Sequence, residues 1–318
     1  MSIAIICSGG DCAGMNPAIK RFVEYSKSKG LEAYLIYNGI EGLIDNNIKE
    51  AHYSDVSGII SKGGTIIGSS RSKRFYEAQY RQQAFKNLQN LKIKILIVLG
   101  GDGSFRAMQR LHDEYGVRWF GIPATIDNDI ALTQYCLGVD TALNVIRHAI
   151  DSVRDTASSF KRGFVIETMG RECGYLALVS ALSSGAEFCL IPEVEYNLDS
   201  IKKRLKGELY SGREYVVGVV SEALDSQEII KWIERDLGIE ARLTTLGHIQ
   251  RGGNPTVFDR LMAFEWVTFT IDAIMEGKSN YVAIYRDGTF ALEAIESVSN
   301  SHYKISDVLL ENARRLFQ

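Results

Sequence analysis

Cysteine, proline and long apolar runs are all scarce in this sequence. Its five cysteines (Cys7, Cys12, Cys136, Cys173 and Cys189) are odd in number, scattered and without C-x-x-C spacing. That pattern excludes a disulfide framework or a zinc ribbon and reads as reduced thiols in a cytoplasmic protein. Only four prolines occur in 318 residues, so few elements are interrupted. No apolar run reaches the ~18 residues of a membrane helix. Met1-Ser2 leads straight into a strand-like run, without the charged stretch and long apolar region of a signal peptide. Neither sign of charge dominates. Thirty-six Lys and Arg stand against 39 Asp and Glu, a net of −3, which disfavours a general nucleic-acid or anionic-membrane surface. Low-complexity segments, charge blocks and solenoid-like repeats are also missing.

What is present is globular in character. With 46% hydrophobic and 24% charged residues, a chain of this length builds a sizeable core without metal or disulfide staples. Glycine is plentiful at 29, which marks tight turns at strand ends. Strand-like runs at 3–7, 33–37, 93–99, 118–122, 163–167, 214–220, 242–246 and 281–285 alternate with helix-like stretches at 17–29, 104–115 and 141–158. This βαβα alternation predicts an α/β fold of two doubly wound, three-layer lobes with mainly parallel sheets. Right-handed crossovers then put the strand C-terminal ends along one edge, where ligands bind. The expected division is 1–138 plus 252–300 for one lobe and 139–251 plus 301–318 for the other.

Three polar loops follow predicted strands. Ser8-Gly-Gly-Asp-Cys-Ala-Gly-Met-Asn16 places glycines between a strand and a helix, where freed N–H groups face an anion. Met15-Asn16 stands where a P-loop carries Lys-Ser/Thr, and the glycine spacing is not that of a dinucleotide fingerprint. The alternative for this loop alone is a tight strand-to-helix turn without a ligand. Gly100-Gly101-Asp102-Gly103-Ser104 repeats the design and adds a carboxylate suited to Mg²⁺ beside a polyphosphate. Its simpler reading is a helix-capping Asp. Pro123-Ala-Thr-Ile-Asp127-Asn-Asp129 sets two carboxylates at i and i+2, which point the same way in an extended segment. One would serve as general base toward a hydroxyl and the other would help hold a metal; a plain Asx turn is the bland alternative.

Taken in order, these stretches resemble the phosphofructokinase family, in its bacterial ATP-dependent branch. The likeness also takes in Gly63-Gly-Thr-Ile-Ile-Gly-Ser-Ser-Arg71, Met169-Gly-Arg-Glu-Cys-Gly174, Pro192-Glu-Val-Glu195 and Leu246-Gly-His-Ile-Gln-Arg-Gly-Gly253, and runs from about residue 2 to about residue 290. The resemblance implies transfer of the ATP γ-phosphoryl group to the 1-hydroxyl of fructose 6-phosphate, with Mg²⁺ as cofactor. Asp127 would be the base, Asp102 the metal ligand and Asp129 a neighbour of the reacting centre. Gly10, Arg71, Ser72, Gly101, Asp102, Gly103 and Ser104 would hold ATP, while Arg71, Thr125 and Arg171 stabilise the moving phosphoryl. The sugar phosphate would meet Thr125, Ile126, Asp127, Met169, Gly170, Arg171, Glu222, His248, Ile249, Gln250 and Arg251. Arg162 and Arg242 would reach in from a neighbouring subunit, which implies self-association, commonly a homotetramer. Lys20, Arg154, Gly185, Glu187 and Arg213 match the family's effector pocket.

The residue types suit this chemistry. Phosphoryl transfer needs positioning and cations, and a guanidinium offers a planar fork that never loses its charge. Relatives that use pyrophosphate carry Asp and Lys where this chain has Gly103 and Ala124, and the small residues leave room for an α-phosphate. The usual partner of that pattern would be Gly rather than Ala124. Two departures concern adenine: Ser72-Lys73-Arg74 replaces an apolar-Pro-acid run, and Ile40 replaces an aromatic. Three concern the effector pocket, where Glu24, Tyr53 and Ser211 occupy commonly basic positions, so weak or altered allosteric control is expected. The competing functions are a pyrophosphate-dependent or other sugar-phosphate phosphotransferase, a lipid or NAD kinase, and a nucleotide sensor without activity. The last two leave the Met169–Gly174 and His248–Gly253 motifs or the retained carboxylates unexplained.

Overall fold

A computed structural model describes all residues from 1 to 318. The chain forms eleven strands: β1 (Ser2–Cys7), β2 (Glu32–Ile36), β3 (Ile48–Glu50), β4 (Ile93–Gly100), β5 (Arg118–Pro123), β6 (Gly163–Thr168), β7 (Phe188–Leu190), β8 (Val216–Ser221), β9 (Ala241–Thr245), β10 (Tyr281–Arg286) and β11 (Thr289–Ala294). The α-helices are α1 (Met15–Ser28), α2 (Gly39–Ile44), α3 (Ala78–Asn90), α4 (Asp102–Tyr115), α5 (Val139–Phe160), α6 (Tyr175–Ser184), α7 (Leu198–Tyr210), α8 (Ser226–Trp232), α9 (Val257–Met275), α10 (Ile295–Ser299) and α11 (Asp307–Asn312). They make two compact units. The first holds Met1–Ile126, Ile130–Thr141 and Arg251–Tyr303; the second holds Asp127–Asp129, Ala142–Gln250 and Lys304–Gln318.

The first unit is built on a seven-stranded sheet in the order β11-β10-β5-β4-β1-β2-β3. Its five inner strands run parallel, and β3 and β11 close the edges antiparallel. All six residues of β1 are buried, as expected of a parallel strand covered on both faces. Helix α1 lays Met15, Ile19, Phe22 and Val23 into the core, a spacing of one helical face. β2 pairs with one side of β1 and β4 with the other. The chain therefore reverses its winding at β1, and the loops after β1 and β4 share one switch point at the strand C-terminal ends.

The second unit repeats the plan on a smaller scale. Its sheet has four parallel strands in the order β7-β8-β6-β9. Phe188, Val165, Val216, Val220, Ile201, Leu205, Trp232 and Ile233 form its core. Here β6 lies between β8 and β9, so the loops after β6 and β9 share the second switch point.

The mixed α/β class with mainly parallel sheets is as the sequence indicates, and all eight strand-like runs become strands. Three strands escape that reading. β3 and β7 have three residues each, too short for periodicity to show. β11 follows β10 through Asp287 and Gly288, both at positive φ. An Asp-Gly pair between strand-like runs is a hairpin signal, and it marks this turn in the sequence.

Candidate active site

In the first unit the two glycine loops are joined to each other. The Ser104 hydroxyl donates to the Ser8 hydroxyl at 2.9 Å and to the Ser8 carbonyl at 3.3 Å. Ser8 N in turn donates to Leu99 O. Asp102 is the first residue of α4, and its side chain does not cap the helix. One of its oxygens accepts from the Ser299 hydroxyl at 2.7 Å, and the other pairs with the Arg106 guanidinium at 2.7 Å. The carboxylate stays 37% exposed. The i,i+4 spacing of Asp102 and Arg106 is legible in the sequence; Ser299, almost two hundred residues away, is not.

Gly10 is closely approached by the Arg251 guanidinium, which a Cβ there would displace. Arg251 Nη1 donates to Asp11 O at 3.3 Å. The structure thus puts Arg251 on the first glycine loop, while His248 and Ile249 are exposed in the second unit. Beside Gly103 the space is open: a Cβ at that position would meet no atom within 4 Å. Ala124 is buried at 2% and its N–H donates to Gly100 O at 2.9 Å. Arg71 is exposed and Ser72 half-buried, with the Ser72 hydroxyl accepting from Phe75 N. Arg74, next in line, is drawn away to Glu41 and Asp45 of the α2 region. Ile40 is buried at 5%, in the core rather than at a surface.

In the second unit the acidic segment departs from the extended path expected of it. Residues 126 and 127 form a turn, and Asn128 adopts φ +53°, a conformation Asn tolerates. The two carboxylates still address one cation. Arg171 Nε lies 3.3 Å from Asp127 Oδ2, and its Nη1 lies 3.9 Å from Asp129 Oδ2. Asp127 is 1% exposed, Asp129 32% and Arg171 55%. A nearly buried carboxylate beside a half-exposed guanidinium is a geometry in which one group can take a proton and the other can follow an incoming charge.

Arg171 reaches this position through a strained turn, with Gly170 at φ +139° and Arg171 at φ +53°. Three consecutive N–H groups of the turn are held by side chains. Met169 N donates to Gln250 Oε1 at 3.1 Å, and Gly170 N and Arg171 N donate to Glu222 Oε1 at 3.1 and 2.8 Å. Gln250 is 1% exposed, and its Nε2 donates to Gly247 O. Gln250 and one oxygen of Glu222 therefore act on the main chain that presents Arg171. Cys173, in the same motif, is 5% exposed, and burial pushes its thiol up to about 12, so it is no nucleophile near neutral pH.

Arg162 and Arg242 sit elsewhere. They flank the N-terminal ends of β6 and β9 and share Glu240, which Arg162 meets at 2.7 Å. Met169, Glu222 and His248 follow the C-terminal ends of the same sheet. Six strand residues, about 20 Å, separate the two sets. The remaining basic set divides between the units. Lys20, on α1, pairs with Glu24 at 2.5 Å. In the second unit Arg213 pairs with buried Glu187 at 2.5 Å, Arg154 approaches it at 3.4 Å, and Arg154 also donates to the carbonyls of Ser184 and Gly185.

Comparison with known proteins agrees with this construction. The family model described as phosphofructokinase matches residues 2–274. The chain is 61% identical to the ATP-dependent 6-phosphofructokinase of Sulfurovum sp. over 98% of its length and 96% of that protein. It is 56% identical to the protein of the same name from Sulfurimonas denitrificans, over 99% of each. Among solved structures, the phosphofructokinase of Saccharomyces cerevisiae superposes with a TM-score of 0.91 at 29% identity, covering 94% of this chain and 44% of that one. The pyrophosphate-dependent enzyme of Nitrosospira multiformis shares the fold alone, at a TM-score of 0.86 and 18% identity over 100% of this chain and 92% of that one. The chain belongs to the phosphofructokinase family.

Proposed function

We propose that this protein is an ATP-dependent 6-phosphofructokinase of glycolysis, moving the γ-phosphoryl group of Mg-ATP to the 1-hydroxyl of fructose 6-phosphate. The observation that carries the reading is the buried Asp127 carboxylate facing Arg171, in a chain 61% identical to a protein of that name. In the reaction the bond between the γ-phosphorus and the β,γ-bridging oxygen breaks, and a bond from the sugar O1 to that phosphorus forms. The hydroxyl proton passes to Asp127, and ADP leaves. The transition state is loose and spreads charge over the equatorial oxygens, so the protein's task is positioning and neutralisation. Arg171, Arg71 and Thr125 take the latter role.

The donor is assigned to the glycine loops. Gly10, Gly101 and Gly103 offer main-chain donors, and Ser104, its hydroxyl on Ser8, lines the loop, with Arg71 and Ser72 as further contacts. The open space at Gly103 favours ATP over pyrophosphate, since an Asp side chain there would fill it. Asp102 suits Mg²⁺: it is a hard, part-exposed oxygen ligand, and no group of three or more His, Cys, Asp or Glu forms a closed cage around it. Bound there with nucleotide phosphates, Mg²⁺ would supply neutralisation of the polyphosphate. Arg106 and Ser299 hold the carboxylate ready.

The acceptor is assigned to the second unit, with Met169, Gly170, Arg171, Glu222, His248 and Ile249 around the sugar and Gln250 behind them; Arg251, on the first glycine loop, would serve either ligand. The distance of Arg162 and Arg242 from Glu222 supports their service to a neighbouring copy, hence self-association with shared sites, for which membership of the family suggests a homotetramer. Scattered free thiols accord with the cytoplasm as its compartment. One coupled assay tests the reading: fructose 6-phosphate with ATP should give turnover, and pyrophosphate should not replace ATP. Asp127→Ser should lower kcat by about three orders of magnitude or more with modest change in substrate binding. Full turnover in that variant would remove the base from Asp127.

A further inference from the structure

Arg81 is the most deeply buried cation of the first unit, and no step of the phosphoryl transfer uses it. Its side chain is 3% exposed on α3, yet each of its three nitrogens has a partner. Nε and Nη2 form a fork onto Glu114 Oε2 and Oε1, both at 2.7 Å. Nη1 donates to Phe75 O at 2.8 Å and to Tyr76 O at 2.7 Å. Those carbonyls belong to the turn that continues from Arg71 and Ser72, and Ser72 in turn accepts from Phe75 N at 3.2 Å. Glu114 sits in the last turn of α4, the helix that begins at Asp102. One guanidinium therefore ties the Arg71–Tyr76 segment to the helix carrying the second glycine loop.

We propose that Arg81, oriented by Glu114, is a positioning residue for nucleotide binding, setting the Arg71–Ser72 segment relative to Asp102 and Ser104. The proposal rests on the assignment of ATP to these loops. It needs the planar fork: two directed bonds hold Glu114 and two hold the carbonyls of Phe75 and Tyr76, in a segment otherwise tied by Arg74 to Glu41 and Asp45 and by Ser72 to Glu41. A lysine keeps the charge but carries its three donors on one nitrogen and cannot reproduce the fork onto both Glu114 oxygens with the two carbonyls. The packing of α3 on α4 has an independent apolar support in the Phe85–Tyr115 stack, with centroids 5.0 Å apart, so the helices remain docked without Arg81.

The test is calorimetric titration of Mg-ADP into the parent protein and into R81M, R81K and E114Q, each first checked for a cooperative melt, with steady-state kinetics alongside. R81M should weaken Mg-ADP binding and raise KM for ATP about tenfold or more, and R81K should do so nearly as strongly. E114Q keeps an acceptor for the guanidinium and should cost only a few-fold. KM for fructose 6-phosphate should stay within about twofold, while kcat falls alongside nucleotide affinity because the segment carries Arg71. If R81M does not fold, R81K and E114Q decide. If Mg-ADP affinity and KM for ATP are unchanged in a folded R81K or R81M, the positioning role is overturned. A parent protein that does not bind Mg-ADP overturns the site assignment instead.

Discussion

At the scale of single residues, the chain separates groups that do chemistry from groups that hold them. In the proposed function Asp127 and Arg171 are the former; Gln250, Arg81 and one oxygen of Glu222 are the latter. Gln250 is the clearest case, because both ends of its amide are spent on main chain and its side chain is shut from solvent. Gln250→Ala should therefore lower kcat through Arg171 more than it raises KM for fructose 6-phosphate, as steady-state kinetics would show. Gln250→Glu loses the donor to Gly247 and should lie between the two. The cysteines make a second prediction. All five are free and buried, and burial lifts Cys7 and Cys173 to about 12. Mass spectrometry after brief treatment with iodoacetamide at pH 8 should find none of them alkylated in the native protein and all five in urea.

At the scale of elements, buried polar contacts decide how helices meet the sheets. Asp259 of α9 is 0% exposed and accepts from Tyr135 Oη, Gly138 N, Thr141 N and the Thr141 hydroxyl, at 2.6–2.8 Å. Asp259→Ala would orphan these donors inside the first unit. It should cost about 3 kcal/mol or more, read as a lowered denaturation midpoint. The Arg81–Glu114 pair between α3 and α4 gives stability its own pH signature. Hydrogen bonding from Arg81 holds the Glu114 carboxyl below its ordinary value of 4.5. A depressed folded-state value means stability present above the unfolded value and lost as pH falls through the folded one. The difference in thermal midpoint between parent and E114Q should therefore be full at pH 6 to 7 and shrink below about pH 4.5. A difference that grows on acidification would contradict the pairing.

At the scale of the whole molecule, the two proposals that matter are shared sites and weak control. Arg162 and Arg242 lie a strand's length from Glu222 in their own sheet. If neighbours supply them, Arg162→Ala and His248→Ala, each nearly inactive alone, should regain activity when mixed through a cycle of mild dissociation and reassembly. No recovery would argue that each chain is complete by itself. The cations proposed for an effector pocket are already committed to acids of this chain: Lys20 to Glu24, Arg213 and Arg154 to Glu187. An anion must compete with these pairs and finds Glu24, Tyr53 and Ser211 where further cations would help. Activity at sub-saturating fructose 6-phosphate should thus shift little, less than about threefold, with ADP or phosphoenolpyruvate.

Much of this was written in the chain itself. Continuous apolar runs such as Ile3–Cys7 and Ile93–Leu99 specify buried parallel strands, because only strands covered on both faces want apolar residues at every position. The glycine loops and the Asp127–Asp129 segment are likewise local, since turn chemistry and ligand chemistry both act over a few residues. Pairings across long separations were not legible: Ser299 on Asp102, Glu114 on Arg81, Gln250 on Met169. No periodicity encodes a contact between residues tens to hundreds apart, for it exists only once two sheets have chosen their strand order. The left-handed turn at Gly170-Arg171 belongs to the same class. Its strain is tolerated because side chains from two other strand ends accept its N–H groups, and only the folded sheet brings those ends together.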